Sequence, residues 1–76
     1  MLEQLREAAG MGGPAAILAN ELLVLTDQYQ SGQLSKEEYQ FLVQQIAEVR
    51  AAQELATDEQ AMRYIVQAAS ALMTVV

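Results

Sequence analysis

The first apolar pattern of the chain has the period of an amphipathic α-helix and runs from about Pro14 to Gln30. Its apolar residues follow one another at steps of four, three and four, which keeps them on one side of a helix. They are Leu18, Leu22, Leu25 and Tyr29, with Ile17 and Val24 widening the stripe. Gly32 ends the pattern, because glycine readily adopts the left-handed conformation that closes many helices. The pattern therefore predicts a helix, helix A, over residues 14–31.

The second predicted helix starts with a cap at Ser35. The Ser35 hydroxyl can accept from the Glu38 amide while the Glu38 carboxylate accepts from the Ser35 amide, an arrangement known as a capping box. Leu34 and Tyr39 flank this box as a candidate hydrophobic staple. Apolar residues then recur at steps of three, four and three, namely Tyr39, Leu42, Ile46 and Val49. We expect helix B over residues 35–55, packed antiparallel to helix A as a helical hairpin.

The third predicted helix, helix C, covers residues 57–76 and is apolar around most of its circumference. Thr57 is its candidate N-cap, and the acids that follow are favoured by the helix dipole. Its polar residues form only a narrow stripe of Arg63, Gln67, Ser70 and Thr74. Two companion helices would leave much of such a helix bare, so we expect a second copy of the chain to cover it. The alternative is that its last turns are frayed or cut from a longer chain.

The surface predicted for self-association lies on helix C. Small residues around it would let a partner helix approach closely, and a two-fold dimer is the simplest closed assembly. The predicted interface residues are Met62, Ile65, Val66, Ala69, Leu72, Met73 and Val76, with Ile65, Ala69, Leu72 and Met73 at the centre.

Residues 1–13 form the N-terminal part of the predicted fold. A short helix or arm over about residues 2–9 precedes the stretch GMGGP, whose glycines end a helix and whose proline suits the first turn of the next one. The whole pattern predicts one small all-α domain over residues 1–76. We expect a helical hairpin plus a third apolar helix, arranged as an oligomeric three-helix bundle with a short N-terminal helix or arm.

The amino-acid composition limits the kinds of catalytic and binding site that we expect in this chain. The chain has no histidine and no cysteine, which removes the commonest general base, the usual zinc ligands and any disulfide. Its net charge of −6 argues against direct binding to nucleic acid. We therefore expect no enzyme activity, no catalytic residues, and no bound metal or cofactor.

Two further expectations concern the membrane and the compartment. The most apolar stretch, from Tyr64 to Val76, is shorter than the roughly 20 residues that span a bilayer. The N-terminal stretch MLEQLREAAG is acidic and amphipathic and does not have the apolar centre of a secretory signal. We expect no membrane span and a cytoplasmic location.

The turn between helices A and B also invites comparison with the calcium loop of an EF-hand. With Gly32 at the sixth position, Asp27 and Glu38 occupy the first and the twelfth. The third position is Tyr29, which offers no carboxylate or amide oxygen, and only two charged ligands remain. Helix capping by Gly32, Ser35 and Glu38 accounts for the same residues, so capping is favoured over a calcium site.

The stretch ELLVLTDQYQSGQLSKEEYQFLVQQI resembles the short C-terminal domain family (SHOCT), whose members are small helical hairpins. The resemblance covers about residues 22–46. It implies an oligomerising or interaction module that has no catalytic residues. The residues that match the family pattern are Leu22, Leu25, Tyr29, Gly32, Leu34, Ser35, Glu38, Tyr39 and Leu42.

Two functional hypotheses follow from these observations. The first is a non-catalytic oligomerisation or adaptor module that binds itself or another protein, of the kind found among small phage or bacterial accessory proteins. The second is an acidic inhibitor that mimics nucleic acid and binds a basic partner protein. The second needs its acids on one face, and the ten acids of this chain are spread along its whole length.

Overall fold

The computed structural model describes residues 2–74, and within that range the chain forms four helices and no strand. Helix α1 covers Leu2–Ala9 and helix α2 covers Gly13–Gln30. Helix α3 is continuous but has three parts, Lys36–Gln45, a π-helical segment Ile46–Arg50, and Ala51–Glu54. Helix α4 covers Glu59–Thr74. The predicted all-α class is confirmed.

The N-terminal segment forms a helix that contributes a side chain to the core. Leu5 on α1 is completely buried, and α1 packs along α2. Gly12 and Gly13 make the connection with φ angles of 83° and 81°, a region that favours glycine. Pro14 then occupies the first turn of α2, where its missing amide hydrogen costs nothing. The fold therefore has one more core helix than a three-helix bundle.

The turn between α2 and α3 is closed by hydrogen bonds on both sides. Gly32 has a φ of 85°, and its amide donates to the Tyr29 carbonyl at 3.1 Å. The Gln33 amide donates to the Gln28 carbonyl at 2.8 Å, which completes a Schellman motif. On the other side, Ser35 and Glu38 form both hydrogen bonds of the capping box. These local bonds reverse the chain within five residues.

Helix α3 departs from regular α-helical geometry at its π-helical segment. The Ala51 amide donates to the carbonyl of Ile46, five residues earlier, so one extra residue fits into that turn. The buried residues of α3 consequently lie at steps of four, three, five and four, and they are Tyr39, Val43, Ile46, Ala51 and Leu55. The predicted stripe was wrong at Val49, which is exposed, and at Leu42, which is only half-buried.

The N-cap of helix α4 lies one residue later than predicted. The Asp58 carboxylate accepts from the Ala61 amide at 3.1 Å, so Asp58 is the N-cap and the prediction of Thr57 was wrong. Thr57 lies in the turn that precedes the cap. The predicted end of helix C at Val76 lies outside the described residues.

The core lies where α4 packs against the facing sides of α2 and α3. Leu22 of α2, Val43 of α3 and Ile65 of α4 are completely buried there. The polar stripe of α4 faces outward, as its exposed Arg63, Gln67, Ser70 and Thr74 show. The buried core residues are Leu5, Leu18, Ala19, Leu22, Tyr39, Val43, Ile46, Ala51, Leu55, Ile65, Ala68, Ala69 and Leu72.

Candidate interaction surface

The surface predicted for self-association is largely inside the single chain. Ile65, Ala69 and Leu72 are buried, and Ile65 and Ala69 have no exposed area at all. The partly buried members of the predicted set are Met62, Val66 and Met73, while Val76 lies outside the described residues. The physical reason is that α2 and α3 already cover the apolar sides of α4. Three of the four residues at the centre of the predicted interface therefore lie in the core of the single chain, and the fourth, Met73, is partly buried.

A different apolar surface lies on the outside of the hairpin made by α2 and α3. It is a shallow groove of about 340 Å³ between the two helices, open to solvent along its length. We call it the outer groove. Four of its residues come from each helix, and they are Asn20, Glu21, Val24, Leu25, Leu42, Gln45, Ile46 and Arg50.

The outer groove exists because α2 is apolar on two sides. Leu18 and Leu22 point into the core, while Ile17 and Val24 lie seven residues apart on the other side. Ile17 is 55% exposed and Val24 is 47% exposed. On α3 the half-buried Leu42 faces Val24 across the groove. Both helices thus present apolar side chains to water as well as to the core.

The π-helical segment decides which residues of α3 reach the groove. Ile46 and Arg50 are its first and last residues, and both line the groove. In a regular α-helix, position 50 would lie one turn after the buried Ile46 and point the same way. The extra residue gives that buried position to Ala51 and turns Arg50 toward α2. Arg50 therefore lines this end of the groove while Ala51 takes the core position.

Arg50 joins two carboxylates at that end. Its Nη1 donates to Glu21 Oε2 of α2, and its Nε donates to Glu54 Oε2 one turn further along α3. All three side chains are about one-third exposed. The hydrogen bonds that Arg50 donates to Glu54 and, second, to Glu21 raise the pKa of Arg50 above its ordinary value. The two carboxylates share one guanidinium, which leaves a net charge of −1.

The opposite end of the hairpin is held by a buried polar contact. Thr26 Oγ1 donates to the Leu22 carbonyl at 2.9 Å and lies 2.7 Å from the Tyr39 hydroxyl. With its own hydrogen used, Thr26 accepts from Tyr39. The Tyr39 ring also stacks on Tyr29, with centroids 4.7 Å apart. Burial raises the pKa of the Tyr39 hydroxyl, so the hydroxyl stays protonated and able to donate at neutral pH.

The same contacts bear on the calcium hypothesis. Tyr29 points toward Tyr39, so the third loop position is occupied by a packed aromatic ring. Glu38 accepts from the Ser35 amide at 2.8 Å, and this bond lowers the pKa of its carboxyl group. Within residues 2–74, no three acidic, histidine or cysteine side chains lie close enough together to hold a metal ion.

A second cavity, of about 630 Å³, lies between α1 and the start of α4. Its lining is mixed, with Glu7, Met11, Asp58 and Tyr64 among the contributing residues. Burial, and to a lesser extent the Glu7 carboxylate, raises the pKa of Tyr64. Met11 is 83% exposed at the α1–α2 connection, away from the outer groove.

Comparison with known proteins does not place this chain in a family. No protein-family model, curated protein or solved structure matches this sequence. None of the helices that the structure describes is both long enough and apolar enough to cross a membrane.

Proposed function

We propose that this chain is a non-catalytic helical interaction module, of the oligomerisation or adaptor class, which binds protein through the outer groove. The observation that carries the proposal is the exposure of Val24 in the groove that it lines together with the half-buried Leu25 and Leu42. Exposed apolar side chains that adjoin one another and are rimmed by polar groups are typical of protein-binding surfaces. Covering them with a partner removes apolar area from water, which favours association.

The resemblance to SHOCT hairpins supports the same class of function. The matching residues occupy the capped turn and the two helices that form the outer groove, including Leu25 and Leu42. The resemblance implies an interaction module, and the groove supplies a surface on which such a module can act. The absence of histidine and cysteine from the sequence agrees with a role that does not involve catalysis.

The acidic-inhibitor hypothesis has less support. A mimic of nucleic acid needs carboxylates presented together and available to a basic partner. In this chain Glu21 and Glu54 bind Arg50, Glu59 binds Arg63, and Glu38 caps a helix. These acids are spread over α2, α3 and α4 and are not one continuous acidic face, so we prefer the interaction module.

Site-specific photocrosslinking tests the proposed function. A photoreactive phenylalanine analogue is placed at position 24 in the groove, or at position 11 as a control that is exposed but outside the groove. After irradiation in extracts of the source organism, we expect a discrete covalent adduct from position 24 and much less from position 11. Equal capture at both positions, or no discrete adduct from position 24, would show that the groove does not bind protein.

A further inference from the structure

The shape of the outer groove favours one kind of occupant. Its floor consists of two helices packed side by side, and the residues that line it on α3 run from Leu42 to Arg50. The eight steps from Leu42 to Arg50 extend about 12 Å at a rise of about 1.5 Å per residue. An added helix of about two to three turns matches that length. Its apolar side would rest on Val24, Leu25 and Leu42, as in other helix-in-groove complexes.

The charges around the groove restrict the occupant further. At one end Glu21 and Glu54 share Arg50, and each uses only Oε2 to bind it, so the second oxygens can accept from a partner's cation. At the other end Glu38 lies one turn before Leu42 on the same side of α3. Carboxylates thus lie near both ends of the groove, with Glu21 and Glu54 around Arg50 at one end and Glu38, close to Lys36, one turn beyond Leu42 at the other. The chain as a whole has a net charge of −6.

These charges disfavour a second copy as the occupant. Another chain of charge −6 would bring the same carboxylates toward this groove, and like charges placed together oppose association. Two of the four cations of such a copy, Arg50 and Arg63, are already bound to its own carboxylates. A basic partner has the opposite effect, because complementary charge favours both encounter and register.

We propose that the outer groove receives an amphipathic helix of a different protein, two to three turns long, with one apolar side and lysines or arginines beside it. This inference rests on the proposed function and names the chemistry of the partner. The apolar side supplies the buried area, and the basic residues bind the carboxylates near the ends of the groove.

Designed peptides test this proposal directly. The probe is a 14-residue peptide with leucines along one helical side and lysines elsewhere. One control has glutamates in place of the lysines, and another has the leucines and lysines of the probe in an order without an apolar stripe. We expect the probe to bind at least tenfold more tightly than either control by fluorescence anisotropy, and more weakly as salt is raised. Equal binding by either control would overturn the proposal.

Matched variants locate the binding site. Val24→Asn changes the groove and Met11→Asn changes an exposed apolar side chain elsewhere, and neither substitution alters the net charge. We expect Val24→Asn to weaken probe binding about tenfold and Met11→Asn to leave it unchanged. Amide chemical-shift changes on adding the probe should centre on the groove residues of α2 and α3. Shifts centred on α1 or α4, or equal effects of the two variants, would contradict the assignment.

Sedimentation separates this inference from the broader function. We expect the unmodified chain to be a monomer at tens of micromolar. A dimer that Val24→Asn dissociates would replace the basic partner with a second copy, while the groove would remain a protein-binding surface. Failure of the position-24 crosslink would instead remove the proposed function itself, so the two failures are distinguishable.

Discussion

The hairpin of α2 and α3 has two apolar faces that differ in what covers them. The inner face, made of Leu18, Leu22, Tyr39 and Val43, packs against α4 and is buried. The outward side includes Val24 and Leu42, which line the groove, and also Ile17 and Val49, and all four are exposed or half-buried. The two sets are similar in hydrophobicity and lie on the same helices. What separates them is the position of α4, which no local pattern in α2 or α3 specifies.

The first and largest contrast concerns α4, where Leu72 is buried and Ser70 is exposed. Leu72→Asp places an unpaired charge in the core, which we expect to cost more than about 3 kcal/mol. That is comparable with the total of about 3–5 kcal/mol that a core of this size supplies. Circular dichroism should show loss of the cooperative fold at every protein concentration, while Ser70→Asp stays folded. If the parent chain were oligomeric and Leu72→Asp were a folded monomer, Leu72 would instead belong to an intermolecular interface.

The second contrast tests whether the π-helical segment holds a dispensable residue. Deleting Gln67 rotates the rest of α4 by about 100° and removes Ala69 and Leu72 from the core, so cooperative unfolding should be lost. Deleting Glu48, an exposed residue of the π segment, turns the step of five from Ile46 to Ala51 into a regular step of four. Both buried stretches of α3 then stay in register, and we expect stability within about 1 kcal/mol of the parent chain. Equal damage from both deletions, measured by urea unfolding, would refute this account of the segment.

The third contrast compares the two faces of α2 directly. Leu22→Ala removes completely buried methyl groups and should lower the free energy of unfolding by about 2–5 kcal/mol. Val24→Ala changes a side chain that is half in water, and we expect a change within about 0.5 kcal/mol. Urea unfolding of the two variants at constant m-value gives the difference. Comparable losses would mean that Val24 is buried in solution, for example by another molecule.

The smallest expected effect belongs to the capping carboxylate at the exposed turn. The pKa of Glu38 is lowered because its ionised form accepts from the Ser35 amide. Its contribution is therefore present above the ordinary value of 4.5 and is lost as the pH falls through the lower, folded-state value. Glu38→Gln keeps an acceptor but does not titrate. The parent chain should be slightly more stable than this variant at neutral pH, and thermal melts should converge in acid.

The sequence supports prediction of features that depend on neighbouring residues. Ser35 and Glu38 are three positions apart, and Gly32 follows directly after the last turn of α2, so their hydrogen bonds need only the local chain. The existence and approximate extent of the helices follow from apolar period for the same reason. The cap at Asp58 was missed by one residue because Thr57 and Asp58 are both good N-caps, and only the start of α4 decides between them.

Features that depend on packing between helices were not predictable in this way. The π turn lies where α3 contacts both the core and α2. No local sequence feature of Ile46–Arg50 predicts it. Thr26 is buried only because Tyr39 reaches it from the next helix. The interface prediction for Ile65, Ala69 and Leu72 recognised that α4 needs to be covered. The prediction assigned this role to a second copy of the chain. The apolar residues of each hairpin helix had been counted as one stripe, although they lie on two sides of the helix.

The step of five in α3 also affects how this protein can change over generations. With the π turn, Val49 and Arg50 point outward while Ala51 and Leu55 stay in the core, so this part of α3 keeps its outward and its core positions separate. A substitution at an outward position leaves the packing of the core intact and costs little stability. Mutational drift can therefore alter the chemistry of this end of the outer groove without first compromising the fold.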